Sequence, residues 1–299
     1  MNAKKPMKLF FRRIAATMLA LAMVISLLPA APVQAATQTK SMTMYVGEAF
    51  SYTDYSTVKS TSSSKKSVVS VKKDSSNPKY AIFTAKKAGK ATLTIKTKNG
   101  TTKIKVTVKK LDMTVTMKDL GNGYIYVSVK NNTKQVFEDV TVNYSLVDAD
   151  GNEVKADDVR IYTLLPGKTS YNTISYNNYS YSVDVANSKA VVSEVDRSPS
   201  RSYKDVSSKI KATVSDESGD DSVVVSITTK NNYSDYASGN NFILIYNAED
   251  QVIGCTSRSF YLKSKASDTT SVTLYLNLYP GYDHYKVITR GYNSKYKSF

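Results

Sequence analysis

Past residue 36 the apolar residues recur at every second position, the period of a half-buried strand, and no segment holds a sustained helical stripe. Leu93 and Ile95 alternate with Thr and Lys, and after Asn99-Gly100 so do Ile104, Val106 and Val108. Asn-Gly between two alternating runs predicts a tight hairpin, because both residues tolerate positive φ. That hairpin turns Lys103 and Lys105 outward. Farther on, Ile125, Val127 and Val129 alternate, as do Val140, Val142, Tyr144 and Leu146, which run into the turn Asp148-Ala149-Asp150-Gly151-Asn152. Val223, Val225 and Ile227, then Phe242 to Tyr246, repeat the pattern. Short strands in series with polar turns predict an all-β chain of three tandem β-sandwich units.

The last two units read as an internal repeat. VSVKNNTKQVFEDVTVNYSLVDADGNEV and VSITTKNNYSDYASGNNFILIYNAEDQVIG each hold a strand, a Lys-Asn-Asn turn, a second strand and an acidic turn. Lys130-Asn131-Asn132 and Lys230-Asn231-Asn232 lie 100 residues apart, a spacing that suits sandwich units of about that length. SEVDRSPSRS between them reads as a linker. The expected units are 36–110, 111–198 and 199–299.

Residues 1–35 read differently. Lys4, Lys5, Lys8, Arg12 and Arg13 precede the apolar run Ile14 to Leu28, and Val33-Gln34-Ala35 supplies small residues. This is the three-part pattern of a secretory signal peptide, with cleavage expected after Ala35. The run is short for a membrane span of about 20 residues and breaks at Pro29 and Pro32. No Cys adjoins the site and no apolar tail ends the sequence, so neither a lipid anchor nor a transmembrane span is expected after cleavage.

Charge separates the exported part into unlike pieces. Between Ala36 and Lys110 stand 16 Lys against Glu48, Asp54 and Asp74, whereas from Leu111 onward 20 basic residues face 22 acidic ones. A basic field confined to one unit attracts polyanions, which outside the cell are wall polymers, acidic glycans and lipid headgroups. The expected contacts are Lys65, Lys66, Lys72, Lys73, Lys86, Lys87, Lys90, Lys103 and Lys105. The competing reading is that these lysines only keep a small β-unit soluble.

The run FTAKKAGKATLTIKTKNGTTKIKVTVKK from Phe83 to Lys110 resembles the C-terminal half of a bacterial immunoglobulin-like domain of group 2. Met44-Tyr45-Val46-Gly47-Glu48 resembles the opening strand and turn of that family, and Ser67 to Val71 a strand between. The resemblance spans the first unit, which lacks the aromatic that members often carry near Ser62 to Ser64. It implies a surface-exposed spacer or adhesion unit without catalytic residues. Tyr144-Ser145-Leu146-Val147-Asp148 resembles the naming motif of the FxLYD β-sandwich of exported bacterial proteins, with Leu164-Leu165-Pro166-Gly167-Lys168 as its later turn. Ile243 to Asn247 is similar to that motif in the third unit, with Tyr279-Pro280-Gly281 as the counterpart of the turn.

Catalytic chemistry has little to build on. Cys255 and His284 are the sole thiol and imidazole, which removes an intramolecular disulfide framework and Cys/His zinc sites and leaves Cys255 only a pairing with another chain. Cys255 follows Val252-Ile253-Gly254 on an expected strand, as a small buried hydrophobe, and His284 falls in an expected turn. Asp148 with Asp150, Asp157 with Asp158, and Asp220 with Asp221 are acid pairs that glycoside hydrolysis could use, but all are expected in turns, where Asp bonds its own backbone. The same turns offer oxygen ligands that could hold calcium, although Asp148 to Glu153 lacks the spacing of a dedicated loop, and no phosphate-binding Gly loop is present. No cofactor or metal is expected.

The 23 Tyr residues are unusual. Tyr171, Tyr176, Tyr179 and Tyr181, and later Tyr279, Tyr282 and Tyr285, form candidate aromatic surfaces for a sugar or a protein, although Tyr is also a favoured strand residue. Lys and Tyr concentrate in different units, which argues against a nucleic-acid groove. The expectation is a secreted, non-enzymatic protein of a Gram-positive-type cell envelope that binds, adheres or spaces, its partner a wall polymer, glycan or protein. The alternative is an extracellular carbohydrate-binding accessory or cryptic glycan hydrolase.

Overall fold

The computed structural model describes residues 37–121, 123–176, 182–197 and 201–296. Within them the chain is β throughout, apart from two 3-10 turns at Ser207–Lys209 and Leu276–Leu278. The first seven strands are β1 (Thr37–Tyr45), β2 (Ala49–Thr53), β3 (Val58–Ser63), β4 (Val69–Lys73), β5 (Tyr80–Ala85), β6 (Gly89–Thr97) and β7 (Thr101–Lys109). They form a four-stranded sheet in the order β1-β7-β6-β3 and a three-stranded sheet β2-β5-β4. The β6–β7 pair is the Asn-Gly hairpin, with Gly100 at φ 139°. Its alternation sends Ala91, Leu93, Ile95, Ile104, Val106 and Val108 into one cluster with Phe83 and Val69 of the opposing sheet. β1 closes the sheet by pairing parallel to β7, a non-local contact that no hairpin signal announces. Phe50 and Tyr52 flank Phe83 at ring distances of 5.9 and 6.2 Å, so aromatics of β2 and β5 fill this core without one at Ser62 to Ser64.

The repeat is visible as topology. β8 (Met113–Gly121), β9 (Tyr124–Asn131), β10 (Phe137–Val147), β11 (Glu153–Leu164), β12 (Thr169–Ser175) and β13 (Asp184–Asp196) form sheets β12-β9-β8 and β11-β10-β13. After β14 (Arg201–Asp205) come β15 (Ile210–Ser218), β16 (Ser222–Asn231), β17 (Ala237–Asn247), β18 (Val252–Leu262), β19 (Ser267–Tyr275) and β20 (Tyr282–Tyr296). Their sheets, β15-β16-β19 and β14-β20-β17-β18, repeat the same orders with β14 added at one edge. Asn131 and Asn231 close the equivalent corners and are fully buried. Each side-chain amide donates across the corner, Asn131 to the Gln135 and Leu164 carbonyls and Asn231 to those of Asp235 and Leu262. A buried amide whose hydrogen bonds are all made fixes the turn and costs little.

Two sequence expectations shift. The counterpart of the Leu164–Lys168 turn is the segment 263–266 between β18 and β19, since Lys168 and Ala266 accept the equivalent Asn131 and Asn231 amides. Tyr279-Pro280-Gly281 instead precedes β20. Asp157 and Asp158, expected in a turn, lie inside β11 opposite Tyr144 and Asn143. β11 is an edge strand, where polar residues face water and the alternating signal fades.

Neighbouring sheet pairs are clamped by specific contacts. Tyr45, at the end of β1, packs edge-on against Phe137 at 5.6 Å within the second cluster. The buried Glu48 receives Arg197 at 2.6 and 3.0 Å, and the guanidinium lies over Tyr45. Between the second and third pairs, β17 is buried on both faces. Ile243 and Ile245 enter the third cluster, while Phe242, also buried, meets the Tyr171 ring at 5.2 Å. Tyr203 donates to Glu138, and Lys168 pairs with Asp205 at 3.3 Å.

Asp196 sits where these contacts converge. It stands directly across the ladder from Asp139, with Glu138 and Glu48 near it. Arg197 takes Glu48 and Arg160 takes Asp139 at 3.6 Å. Desolvation first, then the Glu138 and Glu48 charges, push the Asp196 carboxyl up to about 6. The folded state therefore holds this proton more tightly than the unfolded chain. The stability it contributes is complete below about pH 3.8, the ordinary carboxyl value, and is lost as pH rises through about 6. Asp196→Asn is expected to raise stability at pH 7 by about 1–2 kcal/mol, the shift discounted for partial solvent access, and to flatten the pH dependence between 4 and 7. Urea titrations at both pH values test this, and equal effects at pH 4 and pH 7 would contradict it.

Candidate polyanion-binding face

Along the β6–β7 hairpin, the four-stranded sheet β1-β7-β6-β3 turns a lysine- and threonine-rich face to solvent, while Tyr45 at the end of β1 is buried against the second cluster. On the side opposite the core, β7 presents Thr101, Lys103, Lys105, Thr107 and, at its end, Lys109, and β6 presents Lys90, Thr92, Thr94 and Lys96. The register sets Lys90 across from Thr107, Thr92 from Lys105, Thr94 from Lys103 and Lys96 from Thr101. β1 adds Ser41 beside Lys105 and Thr39 beside Lys103, and β3 adds Ser62 beside Thr94. A shallow depression of about 580 Å³ opens on this face, lined by Ser41, Thr43, Lys90, Thr92, Lys105 and Thr107 among others.

The remaining sequence candidates lie elsewhere. Lys65 and Lys66 occupy the β3–β4 turn and Lys86 and Lys87 the β5–β6 turn. Lys86 and Lys87 both donate backbone N–H to the Val68 carbonyl, which brings the two turns together. Lys86 follows Ala85, whose backbone bonds Gly47 and Glu48, so these four lysines gather at the end nearest the second sheet pair. Lys72 and Lys73 sit on edge strand β4. Lys96, absent from the sequence candidates, belongs to the face; its place in the β6 alternation was the available signal.

The three carboxylates of this region are all engaged by other groups. Glu48 binds Arg197 and the Tyr45 amide. Asp54 accepts from Thr97 and Ser56 at 2.8 and 3.0 Å, and Asp74 caps Ser76 at 2.8 Å. Among the described residues, none of the lysines between Lys40 and Lys110 has a carboxylate within 4 Å. Sixteen lysines against these three carboxylates leave a net positive field whose lysines are not ion-paired and which mobile ions screen.

The aromatic candidates are largely taken up by packing. Tyr171 is half-buried between Tyr126 and Phe242. Tyr176 packs on the second core cluster and donates to Asp119 at 3.3 Å. Tyr279, Tyr282 and Tyr285 pack on the third, and Tyr285 donates to Asp216 at 2.9 Å. Tyr179 and Tyr181 lie outside the described residues, as do the leader and the 198–200 segment of the linker.

Other groups occupy structural roles. The Asp148 carboxylate accepts the Asp150 and Asn152 amides at 3.0 and 2.9 Å, and those bonds, Asn152 foremost, hold it below the usual range. Cys255 lies on β18, where burial pushes its thiol up to about 12 and away from the reactive thiolate. His284 lies on β20 rather than in a turn, stacked on Tyr246 at 5.0 Å and bonded to Asp283 at 2.9 Å. Among the described residues no group of three or more His, Cys, Asp or Glu is placed to hold a metal ion, and no helix is long and apolar enough to cross a membrane.

No family model and no curated protein matches the chain. Among solved structures, trypsin-activated alpha-2-macroglobulin from Escherichia coli aligns over 83% of this chain and 22% of its own length, at 10% identity and a TM-score of 0.20. The C-terminal globular domain of an oligosaccharyltransferase from Pyrococcus abyssi aligns over 75% and 51%, at 8% identity and 0.18. The chain thus spans about a fifth and about half of these two structures, and superpositions this loose assign neither fold nor activity.

Proposed function

We propose that the chain is an exported, non-enzymatic protein of a Gram-positive-type cell envelope, a binding, adhesion or spacer protein whose lysine-rich N-terminal unit contacts anionic wall polymer. In this reading a signal peptide over 1–35 is removed and three sandwich units follow, 36–110, 111–198 and 199–299. The observation that carries it is the charge arrangement of the first sheet pair. Sixteen lysines stand on it, and its three carboxylates are bound to Arg197, to hydroxyls and to backbone amides. An exposed cationic field of this kind steers polyanions and weakens steeply with salt. The expected result is that the mature chain is retained on washed cell walls at low salt and released as the Debye length shrinks from about 10 Å at 0.1 M to about 3 Å at 1 M. Retention unchanged across that series, or none at any salt, would overturn the proposal.

A further inference from the structure

The polar face of β1-β7-β6-β3 carries its charges in a pattern that net charge alone does not require. Each of four successive cross-strand pairs on β6 and β7 contains one Lys and one Thr: Lys90 with Thr107, Lys105 with Thr92, Lys103 with Thr94, and Lys96 with Thr101. Lys therefore changes strand between the first and second rows and back between the third and fourth, so no row has two charges and none lacks one. Outward positions on one strand recur about every 6.8 Å, so the four charges span about 20 Å along the strand direction. The strands on either side extend the rows with Thr39, Ser41 and Ser62.

We infer that this face binds one linear phosphodiester polymer lying along β6 and β7, with successive phosphates meeting successive rows. The inference rests on the proposed contact with an anionic wall polymer and names its site and the chemistry of its ligand. A phosphodiester has two non-bridging oxygens, so one can accept from an ammonium while the other accepts from the neighbouring hydroxyl, and each row offers that pair of donors. Lysine suits such a ligand as a compact charge on a flexible stem that follows a mobile chain. A shallow face whose outward side chains are lysines and hydroxyls, with no carboxylate among them, neither excludes nor repels a hydrated polyanion along its length. The lysines of the β3–β4 and β5–β6 turns stand at the end of this sheet pair, outside the rows, and take no part.

The test compares two variants of the mature chain that lose the same charge. Lys90, Lys96, Lys103 and Lys105 become Gln in one, and Lys65, Lys66, Lys86 and Lys87 in the other. The probes are a labelled poly(glycerol phosphate) and, for contrast, polyglutamate of matched charge, followed by fluorescence anisotropy over a salt series. The face variant is expected to bind poly(glycerol phosphate) at least 10-fold more weakly, with a log–log salt slope shallower by roughly 3, as each released contact contributes just under one. The turn variant is expected to stay within about 3-fold, because charges outside the contact act only through a screened field. Equal losses in both variants would overturn the inference and leave the broader polyanion reading standing, since net charge would then suffice. Polyglutamate bound as tightly as the phosphodiester, and lost alongside it, would remove the phosphodiester assignment. Failure of the unaltered chain to bind either polymer would overturn both readings. Coincident thermal melts for the three proteins show that the exposed substitutions leave the fold intact.

Discussion

Gly239→Ala is expected to destabilise the third sheet pair by about 3 kcal/mol or more, at the upper end of what overpacking costs. Gly239 lies on central strand β17 opposite Gly291 of β20. A Cβ there would stand 1.9 Å from the Arg290 carbonyl oxygen and 2.6 Å from Phe260 Cζ. The first of these is backbone inside a paired ladder, so relief requires the strands to part. A Cβ at Gly291 would in turn meet Ile210 at 2.6 Å. The two glycines leave a trough into which Phe260 and Ile210 fold, and both belong to one small cluster with Val206 and Leu262. Covering strand glycines with an aromatic ring is a recurrent way to recover their lost packing. Gly219→Ala is the matched control: its Cβ would find nothing nearer than 3.6 Å, and it should cost under about 1 kcal/mol. Chemical denaturation followed by tyrosine fluorescence reads both, and a Gly239→Ala curve overlying that of Gly219→Ala would refute the packing argument.

These two glycines show what the sequence leaves hidden. Local periodicity made the strands of the first sheet pair readable, because Ile104, Val106 and Val108 alternate with exposed Lys over a tight turn. The repeat was equally plain, since the same Lys-Asn-Asn triplet recurs at the same corner. What that corner does was not, because a buried asparagine and a solvated one are written alike. The junctions were less visible still. Phe242 looks like one more residue of an apolar strand, and only the tertiary arrangement shows that both faces of β17 are covered. For the candidate face, alternation placed Lys103 and Lys105 outward, yet the one-lysine-per-row pattern depends on the β6–β7 register, which turn geometry sets. Charge counts carry no direction, so the sequence does not separate the turn lysines from those of the face. Tyr171 was legible as an aromatic on a strand, whereas its use between two sheet pairs is a non-local fact.

Arg197→Met should cost the chain about 2–4 kcal/mol, expressed at the contact between the first and second sheet pairs. Glu48 is 6% exposed and accepts two guanidinium bonds at 2.6 and 3.0 Å. Removing the cation leaves that carboxylate buried with only the Tyr45 amide at 2.8 Å, and breaking one side of a buried pair costs about 3–5 kcal/mol. Arg197 keeps 26% of its side chain exposed, so water can partly replace it and the lower part of that range applies. Arg197 also donates to the Thr43 carbonyl at 2.9 Å and stacks on Tyr45, so the variant loosens the seat of Tyr45 against Phe137 as well. Replacing Glu48 by Gln in the same chain removes the stranded charge, and the double variant should recover a substantial part of the loss. That recovery separates an electrostatic clamp from simple packing, because a packing defect would persist whichever residue stood at position 48. Denaturant titration gives the energies, and small-angle scattering gives the geometry: a loosened clamp broadens the distribution of interatomic distances, and the double variant narrows it again. An Arg197→Met protein with unchanged stability and an unchanged scattering profile would mean that the ion pair decorates the junction and that Tyr45 alone holds it.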